Sequence, residues 1–313
     1  MSSGDLYSET EFESLVTEPN VLDGVFECLR RIWGDESALT SRNLSQAEYQ
    51  TRLLEYELSS IYPELYDELK SQMGNHPVKD LDTGCGVIMD ALSIREGFRL
   101  EDDLAAEHDW EVSFSWAAIE GLPSETKTIC RLWFDAATPS QVSREDYRFI
   151  GDQDVPQLPT TDPAYVWTRH PDERLESAFK GNYSAEDIID IYEGVKELLE
   201  DIVHESTHTE FLVTSDHGYI NHKGNTPYPL TDEAEESLSA KFSGRHTSVG
   251  NSQAFRVLEQ EGIIDRAGNS YVVKGHYKWN QPGATKKVMH GGLSLPECMT
   301  PVLRIDTDPT GDS

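Results

Sequence analysis

Apolar residues recur three and four positions apart through Val21–Trp33 (VLDGVFECLRRIW) and again through Glu48–Met73, without β-branched runs, which predicts helices. Asn43-Leu44-Ser45 ahead of Glu48 marks a helix start, with Ser45 and Glu48 at capping-box spacing. Pro63 divides the second pattern in two. Gly74-Asn75-His76-Pro77 predicts a turn and a subdomain boundary, so that residues 1–78 form a helical N-terminal region. Beyond it the pattern changes. Gly86–Leu92 (GVIMDAL) is a short apolar run, and Trp110–Trp116 (WEVSFSW) alternates with period two. Ala164–Arg169, Glu210–Ser215 and Ser270–Trp279 are further predicted strands, and Ser184–Val203 is a predicted amphipathic helix. Ser184 is its expected cap, with Glu186 and Asp187 in the first turn, where the helix dipole favours acids. Strands alternating with helices predict an α/β fold with a mainly parallel central sheet over residues 79–305. The remaining 306–313 form an acidic tail expected to fray.

Charge changes the picture more than composition does. A chain of 313 residues with 37% hydrophobic content can bury a substantial core. It carries 57 acidic against 26 basic residues, a net charge of −31, spread from Asp5 to Asp312 within apolar-patterned segments. A disordered acidic tail would concentrate that charge in blocks. Distributed acidity with few lysines keeps a protein hydrated where multimolar salt screens repulsion within about 3 Å, the mark of a halophilic source. It also argues against a broad nucleic-acid surface, which needs clustered Lys and Arg. The four cysteines, Cys28, Cys85, Cys130 and Cys298, include no CxxC pair, which speaks against a zinc ribbon or a disulfide framework. The opening MSSGDLYSETEFESL has no basic or apolar signal segment, and no apolar run approaches a membrane span. The expectation is a cytoplasmic protein.

Three segments carry candidate chemistry. In Thr214–Ile220 (TSDHGYI) a predicted strand ends in Asp216 and His217 before Gly218. Ligands in open α/β sheets sit at such strand ends, and an acid beside an imidazole suits a divalent metal. A polar strand end with a capping Asp fits the same residues. Asp90 interrupts an apolar strand, where an unpaired carboxylate needs a cation or hydrogen bonds; it could equally cap a helix over Ala91–Gly97. In Val288–Glu297, His290 precedes two glycines and a helix start, so the backbone there is expected to lie tight against a neighbour.

Taken in order, VIMDAL, LPSETK, TSDHGYI and HGGLSLPECMTPVL resemble the alkaline phosphatase-like superfamily, and specifically the PglZ-domain family of bacterial and archaeal BREX-type phage-defence systems. The resemblance covers roughly residues 80–305 and implies an alkaline phosphatase-like three-layer sandwich. It implies a metal-dependent phosphoester hydrolase, a phosphodiesterase or nuclease-like enzyme of antiviral defence, with two divalent ions, zinc or manganese. Thr126 stands at the second hydroxyl of P-[ST]-x-T, at a phosphodiesterase-like spacing from Asp90, and matches the nucleophile; Ser124 is the runner-up. Asp90, Asp216 and His217 would hold the ion that activates Thr126, and Asp172, Glu176 and His290 the other. Glu176 stands where the family pattern has a histidine, which favours a harder ion such as manganese or magnesium, or brings in His170 instead. Asp172 and Glu176 also fit plain surface charges at a helix start. Lys127 and Arg131 are candidates to bind the substrate phosphate. Through such ions a threonine becomes a usable nucleophile, and the intermediate would be a phosphothreonine. Implied partners are a phosphoester, nucleotide or nucleic-acid substrate and other defence proteins. The alternative is an inactive scaffold within a defence complex.

Distributed acidity makes a prediction of its own. Thermal unfolding followed from about 0.1 to 3 M KCl should show a rising midpoint as repulsion is screened, and a flat or falling midpoint would count against adaptation to salt.

Overall fold

The computed structural model describes residues 15, 17, 20–35, 38–39, 43–151, 155–179, 185–221, 224–280 and 288–309 of the chain, with residues 176–179 and 185–187 described in backbone alone. The predicted N-terminal helices are α1 (Val21–Trp33), α2 (Leu44–Ile61) and α3 (Leu65–Ser71), the last two separated at Pro63. Asn20 caps α1 by accepting from Leu22 N. The capping box expected from Ser45 and Glu48 does not form: α2 begins at Leu44 without a side-chain cap. Glu48 is instead buried and accepts from Arg95 Nη2 at 3.3 Å. A tertiary ion pair has outbid a local cap.

The strands are β1 (Cys85–Met89), β2 (Glu111–Ala118), β3 (Tyr147–Ile150), β4 (Ala164–Thr168), β5 (Glu210–Thr214), β6 (Ile220–Asn221), β7 (His246–Ser248), β8 (Ile264–Ala267), β9 (Ser270–Val273), β10 (Val288–Met289) and β11 (Met299–Asp306). Six of them form the central sheet in the order β2-β11-β5-β1-β4-β3. The β5-β1-β4-β3 half is parallel, and β11 runs antiparallel to both β5 and β2. Every residue of β1 and β4 is buried, because parallel strands are covered on both faces; their sequences accordingly read as unbroken apolar runs. Edge strand β2 alternates, as its sequence does.

Helices α4 (Ile94–Glu107), α5 (Thr126–Phe134), α6 (Asp172–Phe179) and α7 (Ala185–Glu205) follow β1, β2, β4 and α6 in turn. Ser184, the expected cap of α7, lies outside the described residues. Apolar side chains of α1–α3 join the same core as those of the sheet. A smaller core holds α8 (Asp232–Lys241), α9 (Gln253–Gln260) and the antiparallel β7-β9-β8 sheet, through Leu238, Phe242, Phe255, Leu258 and Tyr271. The strand expected over Ser270–Trp279 stops at Val273, because the chain turns at Gly275. Two strands the pattern did not single out, β3 and β11, complete the central sheet.

Helix α4 presses Gly97 against the sheet, so that an added Cβ would fall 2.7 Å from Phe114 Cζ and 2.8 Å from Pro301 Cβ. Gly97→Ala should destabilise the protein by about 1–3 kcal/mol through overpacking. Urea unfolding would read this as a lowered midpoint, and an unchanged midpoint would show that the helix can move away.

Candidate active site

Asp90 directly follows β1, and Asp216 lies two residues beyond β5. Because β1 and β5 are neighbouring parallel strands, both acids emerge at the same carboxyl edge of the sheet. Asp90 does not cap the next helix. That helix is α4, capped by Ser93 with Glu96 completing a capping box. Between them Ala91 adopts φ +61, a left-handed conformation that costs a non-glycine residue about 1–2 kcal/mol. This turns its N–H onto Asp216 Oδ1 at 3.1 Å, an atom that His217 N also reaches at 3.0 Å. Asp216 Oδ2 is buried and accepts nothing among the described residues.

The His217 ring is fixed by its neighbours. Its Nδ1 lies 3.0 Å from the Gly218 carbonyl, which can only accept, so Nδ1 carries the hydrogen. Nε2 faces the two carboxylates, 3.5 Å from Asp216 Oδ2 and 3.8 Å from Asp90 Oδ1. Thr126, the first residue of α5, places Oγ1 3.1 Å from Asp90 Oδ1 and 3.2 Å from His217 Nε2. His290 stacks on His217 with ring centroids 4.3 Å apart. The small β6-β10 pairing sets this up, since β6 follows the Asp216-His217-Gly218 turn and β10 leads into His290.

Charge in this pocket is unbalanced. Burial, then Asp216 and Asp172 nearby, push the Asp90 carboxyl well above the usual carboxylate range. Burial and the facing His217 push the His290 imidazole below its ordinary value. Asp90, Asp216 and His217 bring one ligand atom each to within 4.8 Å of one another. An orphaned buried oxygen, crowded carboxylates and an imidazole nitrogen turned toward them are a donor set that fits a divalent cation.

Asp172 opens α6, and its N–H donates to the Asp90 carbonyl at 3.0 Å. Glu176 falls within the same helix, and its side chain lies outside the described residues. His170 does not join the group. Its ring lies against α7, where a Cβ added at Gly194 would come within 3.4 Å of Nε2, and burial pushes its pKa down to about 4. Lys127 and Arg131 are exposed on α5. Ser124 is fully buried, donates to the Gly292 carbonyl at 2.8 Å and accepts from Gly291 N at 3.0 Å, so its hydroxyl is engaged in holding the His290 loop. A second acidic and imidazole group, Glu107, His108 and Glu200, lies on the surface, with Glu107 held by Lys196 at 2.8 and 2.9 Å.

Several residues that hold the site in place escaped the sequence reading. Glu297 accepts from Gly292 N at 2.8 Å, from Ser294 Oγ at 2.5 Å and from Arg245 Nε and Nη2 at 2.8 and 2.9 Å, all without solvent contact. Its carbonyl takes Gly218 N at 3.0 Å. Only glycine fits there, because a Cβ at 218 would fall 2.0 Å from the Pro296 carbonyl oxygen. On the other side, Arg95 bridges Glu48 of α2 to the Tyr219 carbonyl at 2.9 Å, just past the Asp216-His217 turn. Glu55 of α2 accepts from Leu295 N, Tyr66 Oη and His276 Nε2 at 3.1, 2.9 and 2.9 Å, and burial pushes its carboxyl up to about 7. The available signal was two glutamates seven apart on one helix, a spacing that puts both on one face.

The family model for the BREX system PglZ alkaline phosphatase-like domain matches residues 102–305, about two thirds of the chain. The chain belongs to the PglZ family. Its fold is alkaline phosphatase-like. The matched span includes Thr126, Asp172, Asp216, His217 and His290; Asp90 precedes it and joins them through the β1–β5 pairing. Among solved structures the chain is similar to murine ectonucleotide pyrophosphatase / phosphodiesterase 5, at 10% identity over 72% of this chain and 88% of that one, with a TM-score of 0.38. It is also similar to phosphonoacetate hydrolase from Sinorhizobium meliloti 1021, at 10% identity over 72% and 90% of the two chains, with a TM-score of 0.40. No curated protein matches it in sequence. No helix among the described residues is long and apolar enough to cross a membrane.

In this PglZ-family chain the Arg245–Glu297 pair closes the back of the site. Arg245→Met, which strands a buried carboxylate, should lower stability by about 3–5 kcal/mol, and adding Glu297→Gln should restore part of the loss. Denaturant unfolding of the two variants would decide it; a neutral single variant would mean that the loop is held by other contacts.

Proposed function

We propose that this PglZ-family chain is a metal-dependent phosphoester hydrolase in which Thr126 is the nucleophile. The observation that carries the reading is the placement of Thr126 Oγ1 within 3.2 Å of both Asp90 Oδ1 and His217 Nε2, beside an orphaned buried carboxylate oxygen. Asp90, Asp216 and His217 would hold one divalent ion, and Asp172, Glu176 and His290 a second, with manganese suited to the carboxylate-rich set. Bound there, the ions would lower the pKa of the threonine hydroxyl and offset charge building on the phosphoryl oxygens.

The chain's own residues supply the rest. Thr126 begins α5, a helix with no side-chain cap, so the N–H groups of Thr126 and Lys127, which take no partner among the described residues, are available to a phosphoryl group and the dipole favours its charge. As Oγ1 attacks phosphorus its proton passes to water, the ester P–O bond breaks, and the leaving oxygen takes a proton back from water, so that no net proton is gained or lost in this half. Water then hydrolyses the phosphothreonine and regenerates the hydroxyl. Lys127 and Arg131, exposed one and five residues beyond Thr126, would attract an anionic substrate to an otherwise acidic surface. Burial of the Ser124 hydroxyl, spent on Gly291 and Gly292, favours Thr126 over it. The family's BREX association supports a role in antiviral defence beside other proteins of such a system.

Thr126→Ala should reduce hydrolysis of bis-p-nitrophenyl phosphate by at least about a thousandfold with little change in metal content or melting temperature, since it removes the chemical step and not the fold. Ser124→Ala should bring down stability and activity together by loosening the His290 loop. A Thr126→Ala protein with near wild-type turnover would exclude it as the nucleophile, and a wild-type protein inactive with every divalent ion would overturn the hydrolase reading.

A further inference from the structure

Beside the residue that precedes Thr126, strand β7 of the three-stranded sheet begins at His246. Arg245, the residue before it, is fully buried and held by Glu297, so the backbone at 245–246 is anchored to the loop that carries His290. His246 Nε2 lies 3.0 Å from Glu125 Oε2, and Glu125 is the residue immediately before Thr126. Its donation to that carboxylate, ahead of every other cause, holds the Glu125 carboxyl below the ordinary range. The Cδ2 edge of the ring covers Gly291, where an added Cβ would fall 2.8 Å away; with φ at +102, this position too is reserved for glycine. Two edges of the ring therefore face the two segments that carry Thr126 and His290. The third edge bears Nδ1, which takes no hydrogen-bond partner among the described residues, and the His246 side chain keeps 34% of its surface exposed. A polar ring pinned on two sides and open on the third, next to the nucleophile yet outside the carboxylate pocket, is placed for whatever is attached to the phosphoryl group.

Resting on the reading of the site as a phosphoester site, we propose that His246 is a specificity-determining residue: its Nδ1 hydrogen-bonds the organic group of the phosphoester, selecting substrates whose organic part carries polar atoms near phosphorus, as a sugar phosphate or nucleotide does, over bare alkyl esters. Glu125 is the positioning residue that sets the ring. The three-stranded β7-β9-β8 sheet then contributes to the substrate site.

The two ring nitrogens can be separated by substitution. An Asn amide at 246 reaches the place of Nδ1 but not that of Nε2, whereas a Gln amide reaches toward Nε2 and Glu125. Binding of a nucleoside 5′-monophosphate and of methyl phosphate would be measured by calorimetry on the manganese-loaded full chain, which requires no turnover. His246→Ala and His246→Gln should each weaken the nucleotide tenfold or more and methyl phosphate by less than threefold, while His246→Asn should recover most of the nucleotide binding. Equal losses for both ligands, rescue by Gln in place of Asn, no loss in any variant, or a wild-type protein that does not bind the nucleotide would each overturn the proposal. Failure of the hydrolase reading would appear separately, as absent turnover in a protein that still shows this pattern of binding.

Discussion

Neighbouring parallel strands force the Asp90 and Asp216 carboxylates together at a place where water is excluded. Two like charges in a low-dielectric pocket repel, and each also loses hydration worth several kcal/mol. Backbone N–H groups of Ala91 and His217 satisfy one oxygen of Asp216, but its other oxygen is left bare and the Asp90 carboxyl is driven upward. His217 Nε2 faces the same space, 3.5 Å from Asp216 Oδ2. A folded chain that keeps such an arrangement has given up stability locally, and a divalent cation bound there would be favourable to all three groups.

The surrounding structure serves to hold these groups where they would not otherwise stay. The turn after β5 is tied from two sides: Glu297 receives Gly218 N, and Arg95, paired with Glu48, donates to the Tyr219 carbonyl. The His290 loop is tied by Ser124, by Glu297 with Arg245, and at Leu295 by Glu55. Each tie is a buried charged or polar group with several partners, the kind of network that is stabilising only when complete. Helix α2 lies before the span matched by the family, yet it contributes a buried carboxylate to each of the two loops. The N-terminal helices are therefore part of the scaffold of the site.

What was legible in the sequence followed from local pattern and from motif. Apolar periodicity located α1, α3, β4 and β5 within a residue or two, and α2 and β1 with one end four and three residues off, because these elements are buried on one face or on both. Asp90 stood out by interrupting an apolar run, Asp216 and His217 by ending one, His290 in their company and Thr126 by its match to the family motif, and the fold brings them together. Long-range choices were not legible. Glu48 sits at capping-box spacing from Ser45 but is taken by an arginine 47 residues away. Strand β11 reads from its sequence as the end of a motif, yet it pairs with both β2 and β5 and closes one side of the sheet. His246 and Arg245, in a Gly- and Ser-rich stretch, carry no signal of the neighbours they meet. The scattered acidity of the surface likewise gave no sign of where the few functional carboxylates lie.

The central claim is that the site is built around a cation, and metal-dependent stability tests it most directly. Asp216→Asn keeps the oxygen that accepts from Ala91 and His217 and replaces the bare one with an uncharged amide. Thermal unfolding of chelator-stripped protein would be followed as manganese is added. The account predicts that wild type gains stability along a saturable curve, while Asp216→Asn starts higher than stripped wild type and gains little. A wild type indifferent to manganese, together with an Asp216→Asn protein less stable than stripped wild type, would contradict it.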